Sequence, residues 1–293
     1  MAVLEVKAYA KLNLSLDVLG KRPDGYHDMR MVMQTVSLSD SIRLETGTGR
    51  PLHMGSSLGF LPSNESNLAA AAALRLCEVT GVDLGGLSID LEKHIPVCAG
   101  LAGGSADAAA VLRGLNRMLA LELPGPRLEE IGALVGSDVP YCVRGGTALA
   151  EGRGEVLTDL PPLPRCVVVL CKPAFPVSLP ELFARIDSCR IRCRPDTAGL
   201  LAALETGDLH QVARRMYNVF EDALPPRRAQ EIDAIKNVLI QHGALGASMS
   251  GTGPTVFGLF DRQESARSAW EALRAQYPET FLAETMGNLL EQV

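Results

Sequence analysis

Residues 96–110 read PVCAGLAGGSADAAA. The stretch has the form of a strand end, a small-residue loop and the first turns of a helix. Gly100, Gly103 and Gly104 free the backbone for positive φ and for close approach to a ligand. Ser105 is the expected N-cap, with Asp107 in the first turn. Ala106, Ala108, Ala109, Ala110, Val111 and Leu112 carry the helix onward. A glycine loop that feeds a helix N-terminus presents unpaired N–H groups at a positive dipole end, which suits an anion. The competing reading is that the glycines only let a helix pack tightly on a sheet. Two familiar phosphate loops are excluded. The single Gly-Lys pair, Gly20-Lys21, is followed by Arg22 rather than Ser or Thr, and the spacing Gly-x-Gly-x-x-Gly is absent from the loop.

Upstream of the loop, residues 4–18 alternate. Val6, Ala8, Ala10, Leu12, Leu14, Leu16 and Val18 are apolar, with Lys7, Tyr9, Lys11, Asn13, Ser15 and Asp17 between them. Period two predicts a strand pair or one long strand with a buried face. On pattern alone, Lys11 and Asn13 fall on the second face, where solvent is the ordinary expectation for a lysine. Residues 21–27, KRPDGYH, form a turn that leaves Tyr26 and His27 at its tip. Residues 31–44 predict two strands separated at Ser39-Asp40-Ser41, and residues 47–66 a loop. Residues 67–81 predict a helix with Asn67 at its start and Gly81 just past its end. A short strand over 87–91 then leads into the glycine loop.

Downstream, the loop helix is expected to run to about Ala120, and another over 128–134. In VGSDVPYCVRGGTALAEGRGE (135–155), Asp138 precedes Val139-Pro140. Proline restrains its predecessor to extended backbone, so Asp138 is expected just ahead of a stiffened segment entering a strand. That would support a catalytic carboxylate, although an Asp in a turn is the commoner case. LPPLP at 160–164 reads as a linker and sets the domain boundary, giving 1–160 and 161–293. The second half predicts a buried strand at 166–171, helices over 177–186, 197–205, 209–220, 229–242 and 263–276, a loop then strand at 245–259, and a last strand at 281–285.

The chain has 293 residues, with 47% hydrophobic and 21% charged, enough for two domains with real cores. A net charge of −6 speaks against a general binder of nucleic acid or membrane surface. Seven irregularly spaced cysteines fit reduced thiols rather than a disulfide framework or a zinc site. With neither a signal-peptide pattern nor a long apolar run, the expected location is the bacterial cytoplasm.

The pattern Pro-x3-Gly-Leu-x-Gly-Gly-Ser-Ala at 96–106 resembles the nucleotide loop of the GHMP kinases, the superfamily of galactokinase, homoserine kinase and mevalonate kinase. Lengthened to GLAGGSADAAAVLRGLN (100–116), it resembles one branch, the 4-diphosphocytidyl-2-C-methyl-D-erythritol kinases of non-mevalonate isoprenoid biosynthesis. The likeness extends to AYAKLNLSLDVLGKRPDGYHDMRMVMQTVSLSD (8–40), GASMSGTGPTVFGLF (246–260), the Asp138 segment and Asn218-Val219-Phe220-Glu221. DGYH at 24–27 separates this branch from its relatives, because it resembles a cytidine reader.

The resemblance implies a two-domain α+β fold. Its N-terminal half would be like ribosomal protein S5 domain 2 and its C-terminal half ferredoxin-like, with ATP and acceptor in the cleft between them. It implies phosphorylation of the acceptor's 2-hydroxyl by ATP. Asp138 would take the hydroxyl proton, and Lys11 beside it would stabilise charge on the phosphoryl group. Asn13 would hold the erythritol part, Tyr26 would stack on cytosine and His27 would bond its edge, with Phe183 either a second stacking ring or a residue that only fills core. Pro96, Val97, Cys98, Ala99, Gly100, Leu101, Ala102, Gly103, Gly104, Ser105 and Ala106 would cradle the ATP phosphates. Asn67 would lie at the adenine end, while Gly251 and Gly253 would close over the site. Magnesium would arrive as MgATP, with no protein ligand assigned. The expected partners are this small cytidine-diphosphate substrate and no nucleic acid or membrane, in a monomer or weak homodimer. One departure stands out: in Val177-Ser178-Leu179, leucine occupies the position where the resemblance expects threonine.

Overall fold

A computed structural model of the chain describes residues 2–49 and 52–292. The first half opens with two 20-residue antiparallel strands, β1 (Ala2–Lys21) and β2 (His27–Thr46), joined by the Pro-Asp-Gly turn. There follow β3 (His53–Ser56), α1 (Leu68–Thr80), β4 (Leu87–Glu92), α2 (Gly103–Met118), α3 (Gly125–Ala133), α4 (Val139–Arg144), β5 (Thr147–Gly152) and β6 (Val156–Asp159). The second half contains β7 (Val167–Cys171), α5 (Leu179–Ile186), α6 (Thr197–Glu205), α7 (Leu209–Arg214), β8 (Tyr217–Asn218), α8 (Phe220–Ala223), α9 (Pro226–Gln241), β9 (Gly246–Met249), β10 (Val256–Phe260), α10 (Gln263–Arg274) and β11 (Thr280–Glu284). Among the described residues no helix is long and apolar enough to cross a membrane.

Two sheets result. The larger runs β3-β4-β2-β1-β8, with β5 added to β2 and β6 to β5. The smaller runs β11-β7-β10-β9, every neighbour antiparallel. The extended residues 160–166 connect them. The second half also returns to the first sheet: β8 pairs in parallel with Ser15 and Leu16 of β1, and Met286 N–H donates to Thr35 O at 3.0 Å.

β1 is a single strand, and from Ala10 to Val18 every residue is buried. The solvent expectation for Lys11 and Asn13 is therefore wrong. Their relative exposures are 5% and 0%. One face of β1 packs on the sheet's helices, and the face carrying Asn13 is covered by residues from the second half, which a local pattern cannot register.

The expected break in β2 is also absent. Asp40 sits mid-strand and fully buried, its carboxylate accepting from His94 N (2.5 Å), Ile95 N (2.8 Å) and Lys93 Nζ (2.5 Å). The polar triplet marks an anchor beside a register shift, since Tyr9 faces Ser39 while Lys11 faces Thr35.

Three further boundaries differ. The 47–66 loop contains β3, which pairs in parallel with β4, and its residues 50 and 51 lie outside the described residues. The helix expected over 209–220 stops at Arg214 so that the chain can extend as β8, and Asn218 Oδ1 then accepts from Phe220 N at 3.0 Å to restart it. The loop-then-strand at 245–259 is a β9–β10 hairpin. α1 matches its expectation: the Asn67 side chain accepts from Ala69 N, and Gly81 closes the helix at φ +72°.

Candidate active site

The glycine loop begins on a fixed base. Lys93, just after β4, places its ammonium between Asp40 and Asp107, 2.5 Å from an oxygen of each. Beyond it, Cys98 (φ +53°), Gly100 (φ +75°) and Ala102 (φ +54°) take left-handed backbone. Glycine is required only at 100, where a Cβ would lie 2.1 Å from Ser250 O. Gly103 and Gly104 are instead the first residues of α2. Gly103 serves close packing, since a Cβ there would stand 3.1 Å from Ile95 Cγ2, whereas a Cβ on Gly104 would meet only Leu68 Cδ1 at 3.4 Å.

Ser105 is not the N-cap. That position belongs to Ala102, which has no side-chain oxygen to offer, and Ser105 is the third helical residue. The first N–H groups of a 16-residue helix thus lack a side-chain cap and face the loop. Asp107 lies beyond the first turn, and burial raises its carboxyl to about 8 despite the Lys93 ammonium.

A cavity of about 360 Å³ follows the loop through Pro96, Val97, Cys98, Ala99, Gly100, Ala102, Gly103, Gly104 and Ser105, with Asn67 and Lys93 at its sides. Leu101 and Ala106 are buried beneath it. Asn67 is engaged locally: besides capping α1, its Nδ2 donates to Pro62 O at 3.1 Å.

A larger cleft of about 530 Å³ adjoins this cavity and shares Gly100, Ala102 and Ser105 with it. At their junction, Lys11 Nζ donates to Asn13 Oδ1 (2.6 Å) and stands 3.8 Å from Asp138 Oδ2. Lys11 is buried, whereas the Asp138 side chain keeps 32% of its exposure. Asn13 Nδ2 is buried without an acceptor.

Asp138 does not precede a strand. It occupies the N-cap of α4 in helical backbone (φ −85°, ψ −10°). The pre-proline restraint falls on Val139, and Pro140 sits in the first turn, where its missing N–H costs nothing. α4 is tethered at several points. Tyr141 Oη donates to Gly146 O at 2.7 Å, and Arg113 Nη1 donates to Cys142 O (2.5 Å) and Val143 O (3.2 Å).

The β9–β10 loop covers the junction. Asn13 N–H donates to Ser250 Oγ (3.3 Å), which donates to Gly100 O (2.9 Å). Gly251 (φ +56°) lies close enough that a Cβ would be 2.9 Å from Gly100 O and 3.3 Å from Lys11 Nζ. Gly253 (φ +79°) abuts Met249 and lines neither cavity. The Asn-x-Phe-Glu element secures this loop from behind. Asn218 Nδ2 donates to Met249 O (2.8 Å) and Gly251 O (2.7 Å), and Glu221 Oε1 accepts from Met249 N (2.8 Å).

At the far end of the cleft, Tyr26 is 57% exposed with the Arg153 guanidinium 5.1 Å from its ring centroid. His27 is not at the loop tip. It starts β2, is buried, and stacks on Phe183 at 4.6 Å with an interplanar angle of 24°. Its Nε2 lies 2.7 Å from Asp187 Oδ1, and this hydrogen bond holds the Asp187 carboxyl below its usual range. Phe220 meets Phe183 edge-on at 5.2 Å. Leu179 is exposed along the same wall.

Sequence reasoning missed Lys93 and Arg153. Arg153 lies in the quoted 135–155 segment, but only the β5–β6 turn carries it over Tyr26. Lys93 could have been sought as the cation for a mid-strand Asp40.

The GHMP kinases N terminal domain model matches residues 67–146, and the GHMP kinases C terminal model matches 200–279. A 4-diphosphocytidyl-2-C-methyl-D-erythritol kinase of Lachnospira eligens is 44% identical over 94% of this chain and 94% of its own. A crystal structure of a 4-(cytidine 5'-diphospho)-2C-methyl-D-erythritol kinase superposes with a TM-score of 0.80 at 32% identity, covering 97% of this chain and all of that one. A homoserine kinase from Cytophaga hutchinsonii, at 21% identity and a TM-score of 0.75 over 98% of this chain and 96% of that one, shares the fold. The chain has the two-domain α+β architecture of the GHMP kinases and belongs, within them, to the 4-diphosphocytidyl-2-C-methyl-D-erythritol kinase family.

Proposed function

We propose that this protein transfers the γ-phosphoryl group of ATP to the 2-hydroxyl of 4-diphosphocytidyl-2-C-methyl-D-erythritol, giving the 2-phosphate and ADP. The observation that carries the proposal is the Lys11–Asp138 pair, 3.8 Å apart where the glycine-loop cavity meets the aromatic-walled cleft. The acceptor oxygen forms a bond to the γ-phosphorus as the bond from that phosphorus to the β–γ bridging oxygen breaks. ADP carries away the electron pair, and Asp138 takes the hydroxyl proton. Lys11, fixed by Asn13, supplies positive charge where the transferred group passes. Asn13 is wholly buried and lines neither cavity; its unpartnered Nδ2 is the donor assigned to the erythritol part of the substrate.

ATP lies along residues 96–106 with its phosphates at the α2 N-terminus, close to Lys93, and Asn67 flanks the nucleoside end. Gly251 closes the junction, and Gly253 shapes the loop that carries it. Cytosine stacks on Tyr26, with the His27–Phe183 stack as the opposite wall, and Arg153 faces the substrate's diphosphate. Magnesium would enter as MgATP and neutralise charge on the phosphates, with no protein ligand assigned to it. We place the boundary between the halves at residues 160/161 and propose that one chain completes the site, as a monomer or weak dimer.

The test is ADP release with ATP and four acceptors: the diphosphocytidyl compound, homoserine, mevalonate and galactose. Turnover confined to the cytidyl compound is expected. Turnover confined to another acceptor would overturn the assignment.

A further inference from the structure

The C-terminal half of α2 borders a third cavity, of about 200 Å³, far along the helix from the glycine loop. Its walls carry Lys7, Arg113 and Arg117 against a single carboxylate, Glu5. Tyr9 and the apolar Val6, Ala110, Gly114 and Leu289 complete it. Three cations facing one anion is a local excess in a chain whose net charge is −6.

None of the three cations forms an ion pair among the described residues. Arg113 is the most constrained. One nitrogen is committed to Cys142 O and Val143 O, while Nε and Nη2 meet no protein acceptor. Burial lowers its guanidinium to about 10, still a cation at neutral pH, and no carboxylate offsets that cost. Arg117, one helical turn on, presents its side chain on the same face and bonds to nothing described. An adjoining cavity of about 390 Å³ shares both arginines and adds Asn116, Leu123, Leu128, Leu290 and a second carboxylate, Glu122.

A half-buried guanidinium whose free donors open onto a cavity suits an acceptor with several oxygens, which a phosphate supplies in fork geometry. We propose that this cavity is an anion site, separate from the nucleotide loop, for the phosphate or diphosphate group of a small molecule. The volume holds such a group but not a nucleotide, and the leucine-lined annex takes a short apolar substituent. The site also lies behind the catalytic helix, because Arg113 holds the carbonyls at the end of α4 opposite Asp138.

The test is calorimetric titration of inorganic diphosphate into the full-length protein, saturated with ADP and free of divalent ions, at low salt. One saturable event is expected, weakened by added salt. Arg113→Met also removes a tether of α4, so Arg117→Ala carries the test. That variant should lose about ten-fold in diphosphate affinity, as expected for one charge-assisted contact, and keep its ADP affinity. Absence of an event in the wild type, or equal affinity in Arg117→Ala, would overturn the proposal. An event seen only when ADP is withheld would overturn it too, since that assigns the anion to the nucleotide site.

Discussion

At the scale of single residues, the cleft and the glycine-loop cavity make separable contributions. Tyr26 offers an exposed ring face, and base–aromatic stacking is worth ~1–3 kcal/mol. Tyr26→Ala should raise KM for the cytidyl substrate roughly ten-fold or more while leaving KM for ATP unchanged. Steady-state kinetics with each substrate varied in turn would check this split. Asp107 gives a pH signature instead. Its carboxyl titrates near 3.8 when exposed and at about 8 in the fold. Between those values the native state keeps a proton that the unfolded chain has released, so this group's contribution to stability falls as pH rises from 4 to 8 and is level above that. Asp107→Asn lacks the titration. Thermal unfolding from pH 5 to 8 should therefore show the wild type losing Tm relative to the variant as pH rises, and a constant difference would refute the buried proton.

At the scale of elements, the central device is the contact between two loops from different halves of the chain. Gly100 touches the backbone of Ser250, and Ser250 in turn bridges Gly100 and Asn13. Gly100→Ala combines positive φ with a 2.1 Å approach to a carbonyl oxygen. Strain of about 1–3 kcal/mol is expected from the backbone alone. Nucleotide affinity should drop with it, measured by ADP titration, whereas Gly104→Ala, whose Cβ would find only Leu68 Cδ1 at 3.4 Å, should be tolerated.

These particulars show what the sequence discloses. α1 was legible because its Asn67 cap and Gly81 stop are local signals. The roles of the three loop glycines were not, because the left-handed positions fall partly on Cys98 and Ala102, and what excludes a side chain at 100 comes from residue 250. Asp138 was legible as a candidate from its motif, but its place at the N-cap of α4 depends on which residue the proline restrains. Lys11 and Asn13 were misplaced by pattern alone for the same long-range reason. Their burial depends on cover from the other half.

At the scale of the molecule, the two sheets divide the work. The larger sheet and its helices carry the glycine loop, Lys11, Asn13 and Asp138, and the second half supplies Phe183 and the loop that closes over them. Nucleotide binding and phosphoryl transfer should therefore separate at Asp138, which lines the acceptor cleft but not the glycine-loop cavity. The decisive measurement is turnover of the Asp138→Asn variant beside its ADP affinity. The account predicts a kcat lowered by about 10²–10⁴-fold, the range of general-base catalysis, with ADP affinity and folding unchanged. Turnover near that of the wild type would contradict the assignment of Asp138 as the proton acceptor.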